Sequence, residues 1–262
     1  MKQRTISGIV LLIILIGSLI INSRLFGIVM LICAVIGFNE IFNIKYDNNN
    51  LKKMRPIKIL GIIGLMLIAL NNTFYKIDTN ITILLPLLIL SMPIVFYNNS
   101  DVYNINDYLY TLGIIYLLGF SFGNIIYLRD SNVLKCIFIF IIAFITDTYA
   151  YIGGSLIGRH KLTTISPKKT IEGSLIGTIM GTAIGSIYYY NIIGGLTTFQ
   201  VVVLCLILTI LSESGDLFFS SIKRYFNKKD YSNLIPGHGG ILDRFDSVIY
   251  VSLGLSLILS VL

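Results

Sequence analysis

"IPGHGGILDRFDSVIYVSLGLSLILSVL", residues 235–262, joins two kinds of chain that seldom meet. Its first half carries Pro236, three glycines, His238, Asp243, Arg244 and Asp246, whereas Val248 to Leu262 holds no charge at all. An uncharged run of this length, taken with the residues just before it, reaches the roughly 17–25 residues that cross a bilayer core as helix. The polar half therefore sits at the mouth of a membrane span, and its reading decides both fold and chemistry.

The remainder of the chain repeats the apolar theme. Of 262 residues, 55% are hydrophobic and only 13% charged, about half the charge of an average soluble protein, and the mean hydropathy is +0.83. Apolar segments near 5–22, 25–42, 57–71, 81–97, 108–127, 134–156, 174–190, 199–218 and 246–262 predict an all-α, polytopic integral membrane helical bundle of about nine transmembrane helices. The third and seventh segments are the shortest. Lys2 and Arg4 before the first segment resemble the start of a signal peptide. "SLIINSRLFG" offers no small-residue cleavage site, so the segment is expected to be retained.

A net charge of +7 would suggest nucleic acid in a soluble protein. Here the positions of the charges give another explanation, and no nucleic-acid partner is expected. With the N-terminus in the cytoplasm, sixteen of the twenty Lys and Arg fall on the cytoplasmic side of the nine spans, and only Arg24, Lys76, Arg129 and Lys135 lie outside. This predicts a protein of the cytoplasmic membrane whose N-terminus and polar site face the cytoplasm. Cys33, Cys136 and Cys205 stand singly in apolar segments without metal-ligand spacing and read as core residues.

Residues 1–130 have no unusual polar cluster and read as a transmembrane scaffold, with Glu40 merely ending a span. Residues 131–262 read as the catalytic region. There two basic, Gly- and Ser-containing loops, "GRHKLTTISPKKTIEG" (158–173) and "SSIKRYFNKKDYSNLIPGHGGILDRFD" (220–246), interrupt the apolar pattern. Gly173, Gly177, Gly181 and Gly185 recur every four residues, a stripe that lets a second helix approach closely.

Asp147 lies inside a span, where a carboxylate costs about 2.5 to 3.5 kcal/mol on insertion scales and needs a reason. Glu213 with Asp216, and Asp243 with Asp246, each share one helical face at i, i+3. Carboxylates gathered from three helices repel one another unless a cation intervenes. Mg²⁺ is the hard divalent ion that binds oxygen while leaving room for substrate phosphates. Opposite these acids stand donors suited to a polyphosphate: Lys168, Lys169, Lys223, Arg224, His238, Arg244 and the hydroxyls of Ser166, Thr170, Ser220 and Ser221. Gly237, Gly239 and Gly240 allow backbone N–H groups to approach an anion. Acids and phosphate donors together suit a metal-bound nucleotide, because phosphoryl and nucleotidyl transfer depend on positioning and charge neutralisation.

The segment "SIKRYFNKKDYSNLIPGHGGILDRFD" (221–246) resembles the signature of the phosphatidate cytidylyltransferase (CDP-diacylglycerol synthase) family, and every fixed position is present. "DTYAYIGGSLIGRHK" (147–161), "ISPKKTIEG" (165–173) and "GDLFFSSIKR" (215–224) are similar to further family segments, so the resemblance is concentrated in the C-terminal half. Tyr149 and Phe219 depart from the common pattern, and Glu213 is an additional acid. The resemblance implies a phospholipid-biosynthetic reaction in which CTP and phosphatidate give CDP-diacylglycerol and pyrophosphate, with Mg²⁺ and room for a second cation. It implies Asp216, Asp243 and Asp246 as metal ligands, and Asp147 joins them as a candidate from its place inside a span. Lys223, Arg224 and Arg244 fall to phosphates, and Lys168, Lys169, Ser220, His238, Gly239 and Gly240 to substrate contact. Membrane lipid surrounds the protein, and a homodimer is left open as the assembly. Two other readings accompany this one: a CTP-dependent lipid-alcohol kinase, and a cation-coupled transporter that would carry its acids near mid-bilayer.

Overall fold

A computed structural model describes residues 2–46, 48–71, 78–96, 103–237 and 239–261. Among these the chain is all-α, with ten α-helices: α1 (Lys2–Ile21), α2 (Ser23–Lys45), α3 (Asn48–Lys53), α4 (Arg55–Leu70), α5 (Thr79–Phe96), α6 (Ile105–Ser131), α7 (Val133–Ile157), α8 (Ile171–Tyr188), α9 (Thr198–Tyr225) and α10 (Leu242–Val261). Each of the nine apolar segments lies on a helix. Six of these helices, α2, α5, α6, α7, α9 and α10, are long and apolar enough to cross a membrane.

The other three fall short for separate reasons. In α1 the side chains are described only from Gly8 to Ile21, α4 has sixteen residues, and α8 dilutes its apolar residues with four glycines and several hydroxyls. α3 begins with three asparagines, Asn48 to Asn50, so here the backbone departs from the turn propensity of Asn.

Helix boundaries follow from local side-chain chemistry. Asn22 accepts the N–H of Arg24 at the start of α2, and Asn132 accepts those of Leu134 and Lys135 at the start of α7. Thr170 caps α8 through the N–H of Gly173. Thr197 and Gln200 form a reciprocal capping box on α9. α8 ends in a π-helical turn, Tyr189–Ile193, closed by Gly194 at φ +69°, a conformation that favours glycine.

The chain forms two compact units. The first comprises Met1–Asp130 and Asp230–Asp243; the second comprises Ser131–Lys229 and Arg244–Leu262. In the first unit, Phe26, Met30, Phe38, Phe42, Leu65, Leu118 and Phe122 are wholly buried. At the end of α2, Lys45 Nζ lies 2.6 Å from the buried carboxylate of Asp107 on α6 and 4.7 Å from the centre of the Tyr110 ring. Tyr46 donates to the same carboxylate at 2.9 Å. Lys45 thus ties α2 to α6 by charge and by cation–π contact.

The second unit is built on the glycine stripe of α8, all four members of which are buried. A Cβ at Gly173 would meet the Ala150 carbonyl at 2.5 Å, and one at Gly177 the Thr146 carbonyl at 2.7 Å, so α8 lies against the backbone of α7. Across the molecule, side chains such as Ile13, Ile20, Ile63, Leu156 and Phe199 remain more than half exposed. In water such apolar surface would be costly; facing lipid it is the ordinary exterior of a membrane protein.

Candidate active site

In the second unit, three helices and one loop bring charge together. α9 places Asp216, Ser220 and Lys223 at i, i+4 and i+7, one stripe along its C-terminal half. The approach of α10 is set by Gly215, where a Cβ would come within 2.8 Å of the Asp246 carbonyl and 2.9 Å of Tyr250 Cβ. A glycine immediately before Asp216 is therefore what allows the helix bearing Asp246 to come so near. α7 supplies Asp147, whose Oδ2 accepts from Ser247 Oγ at 3.1 Å. The Ser247 N–H donates to Asp246 Oδ1 at 2.9 Å. Asp147, Asp216 and Asp246 lie within electrostatic reach of one another.

Lys169 comes from the 158–170 loop, which folds back on itself. The N–H of Leu162 donates to the Lys169 carbonyl, that of Lys169 to Ser166, and that of Ile171 to His160. Glu172 fixes the loop from below: the backbone N–H groups of Arg159 and His160 donate to its carboxylate, and the His160 ring lies 2.6 Å away. So held, Lys169 Nζ lies 2.6 Å from Asp216 Oδ2, while Ser220 Oγ donates to Asp216 Oδ1 at 3.2 Å. Burial disfavours the charge on Lys169, but Asp216, Asp147 and Glu213 more than offset it and hold its pKa above the ordinary lysine value. A raised lysine pKa keeps the pair intact at neutral pH, and it is lost only as pH rises through that raised value.

Lys223 is buried to 7% exposure and acts electrostatically on Asp246. Glu213 is buried and accepts from Ser174 Oγ and, at 3.5 Å, from Thr178 Oγ1. Hydroxyls of α8 satisfy it, a role the sequence did not suggest for them.

Other expected residues are placed differently. Lys168 and Arg244 are exposed. Arg224 is exposed as well, and its guanidinium donates to the Lys228 carbonyl at 2.7 Å, closing the end of α9. His238 lies outside the described residues. Asp243, Gly239 and Gly240 belong to the first unit. There Asp243 Oδ2 accepts the N–H groups of Tyr231 (3.0 Å) and Gly240 (2.8 Å). Gly239 has φ +83°, and a Cβ on it would stand 2.7 Å from Asp243 Oδ2.

The anion approached by this glycine-containing loop is the protein's own. Besides Asp243, the carboxylate of Glu40 on α2 accepts the N–H groups of Ile241 (3.0 Å) and Leu242 (2.9 Å) and the hydroxyl of Ser232 (2.6 Å). Glu40 reads as scaffold in the sequence. The signal that could have found it is the one applied to Asp147, a carboxylate within an apolar helix.

Among the described residues no three His, Cys, Asp or Glu side chains gather closely enough to hold a metal by themselves. The donors of the second unit are all oxygen and all hard. That suits Mg²⁺, which takes one or two carboxylates from protein and completes its shell with water and substrate phosphate.

Residues 2–262 match the model of the cytidylyltransferase family. The chain is 31% identical over 254 residues to the phosphatidate cytidylyltransferase of Staphylococcus haemolyticus (strain JCSC1435), an alignment covering 96% of both chains. It is 30% identical over 256 residues to that of Staphylococcus aureus (strain COL) and 29% to that of Staphylococcus saprophyticus, again across 96% of each chain. With the family pattern running through the whole length, both units included, this chain belongs to the cytidylyltransferase family.

Proposed function

We propose that the protein is a membrane-embedded nucleotidyltransferase that converts CTP and phosphatidate into CDP-diacylglycerol and pyrophosphate. The observation that carries this reading is the convergence of Asp147, Asp216 and Asp246 with Lys169 where α9 meets α10. Acids and a cation set together in this way suit a substrate that is itself a polyanion accompanied by a cation.

Asp216 and Asp246, with Asp147 beside them, are the residues that would hold Mg²⁺. Asp243 is added as a fourth carboxylate on the sequence signature alone. When bound, the ion neutralises triphosphate charge and polarises the phosphoryl oxygens. Lys223 and Arg244 attract the phosphates, and Lys169 exchanges its hold on Asp216 for an anionic oxygen of the substrate. Ser220, Lys168, Arg224, His238, Gly239 and Gly240 complete the proposed contacts with nucleotide or lipid head group. An anionic oxygen of the phosphatidate phosphate attacks the α-phosphorus of CTP. The new P–O bond forms as the bond to the β-phosphate bridging oxygen breaks, and pyrophosphate leaves with that electron pair. The attacking oxygen carries no proton at neutral pH, so the step requires no general base. Its barrier is chiefly the approach of two anions, which fixed positive groups reduce.

Nine spans with the N-terminus and the polar site at the cytoplasmic face complete the proposal, supported by the distribution of Lys and Arg. The site then lies at head-group depth, and the acyl chains stay in the bilayer. The test is an assay of purified protein with labelled CTP, phosphatidate and Mg²⁺. Pyrophosphate and CDP-diacylglycerol are expected in equal amounts, and a chelator is expected to stop both. Release of CDP with a phosphorylated lipid would identify a kinase instead, and turnover undiminished by chelator would remove the metal from the proposal.

A further inference from the structure

Glu40 is 6% exposed, on a helix that also buries Phe38, Ile41 and Phe42, and it forms no ion pair among the described residues. Its carboxylate is satisfied by three donors, all from one distant segment: Ser232 Oγ, Ile241 N–H and Leu242 N–H. The last two are the N–H of the residue just before α10 and that of its first residue, and such N–H groups at a helix start have no partner within the helix. A carboxylate there both completes their hydrogen bonding and meets the positive end of the helix dipole. The fit is close: a Cβ on Gly240 would lie 2.5 Å from Glu40 Oε1 and 2.6 Å from Oε2. A side chain at residue 240 would thus push the Glu40 carboxylate, two hundred positions away in the chain, off its donors.

The segment is fixed from a second direction by Asp243, which takes the N–H groups of Tyr231 and Gly240. Two carboxylates thereby take up four amides of this segment, the consecutive three of Gly240, Ile241 and Leu242 and that of Tyr231. Glu40 is the one of the two that comes from elsewhere in the fold. It sets where α10 begins, and with it the placement of Asp243 and Arg244 in the helix's first turn.

We propose that Glu40 is a positioning residue for the transfer reaction, acting through the 231–242 segment and touching neither substrate nor metal. This rests on the reading that Asp243 and Arg244 serve in that reaction. Loss of the anchor lets the first turn of α10 shift, and displacements of about 1 Å in a reacting constellation lower rates by about a hundredfold.

The experiment uses the full-length protein, with rates normalised to the folded fraction. Glu40→Ala is expected to lower kcat about a hundredfold and Glu40→Gln, which keeps an acceptor, only about tenfold. Amide hydrogen exchange at Ile241 and Leu242 is expected to accelerate at least about tenfold in Glu40→Ala. A double-mutant cycle adds a measurement that general destabilisation would not produce. Read as stability, Gly240→Ala is expected to lower Tm by several degrees in the wild-type background and by less than half as much when Glu40 is already Ala, because its clash partner has gone. Equal cost in both backgrounds, or unchanged exchange at 241 and 242, or accelerated exchange with unchanged kcat, would each overturn the proposal. Absence of turnover in the wild type would fault the reaction assigned and not the anchor, which the exchange measurement decides by itself.

Discussion

Asp243→Asn, purified as folded protein, is expected to turn over CTP at about one thousandth of the wild-type rate, with no recovery in excess Mg²⁺. The substitution separates two roles of one side chain. Asp243 Oδ2 accepts from the N–H groups of Tyr231 and Gly240, and the amide oxygen of Asn can accept both bonds in the same position. The loop therefore keeps its staple, and what disappears is the charge. Asp243→Ala removes both and is expected to lose stability as well as turnover. Melting curves of the two variants distinguish the roles. If Asp243→Asn melts like wild type and turns over at the wild-type rate, Asp243 is a loop staple only and leaves the proposed site.

The second large effect concerns the glycine stripe. In Gly177→Val the first added carbon would fall 2.7 Å from the Thr146 carbonyl and 2.8 Å from Ala150 Cβ, so α7 and α8 must separate. Overpacking of this kind costs about 3 kcal/mol at the upper end of the usual range. For a chain of this size that corresponds to a fall in Tm of about 6–12 °C. Because Thr146 precedes Asp147, the displacement also moves a carboxylate of the site, and activity is expected to fall below what the unfolded fraction explains. Gly113→Ala is the control: nothing lies within 4 Å of its Cβ position, and because Ala favours helix over Gly its Tm should equal or exceed that of wild type. Equal Tm values for Gly177→Val and wild type would show that close helix approach is not what the stripe provides.

These two regions show how far the sequence could be read. The stripe was legible because period-four glycine spacing is a local signal, and the helix that uses it needs no knowledge of its partner. The acids on α9 and α10 were legible for the same reason, as pairs at i, i+3. The grouping of Asp230–Asp243 with the first unit was not. It depends on Glu40, whose three donors lie 192, 201 and 202 residues away in the chain, and nothing in local patterning reports such a pairing. The glycines of the signature loop were legible as places where backbone meets an anion. Their sequence could not say that the anions are Asp243 and a glutamate on α2. Arg224 shows the opposite limit. Its type and spacing suit a phosphate contact, yet its guanidinium is engaged with the Lys228 carbonyl, a competitor that only three-dimensional placement reveals.

The central claim is that carboxylates from α9 and α10 share a divalent cation with the nucleotide. Spectroscopic titration of Mn²⁺ with CTP, comparing wild type with the Asp216→Asn/Asp246→Asn double variant, tests it without relying on turnover. The double variant is expected to bind the ion with CTP at least about a hundredfold more weakly, beyond the loss that removing a mere supporting partner produces. Equal Mn²⁺ affinity in the two proteins would contradict the assignment of the cation to these helices.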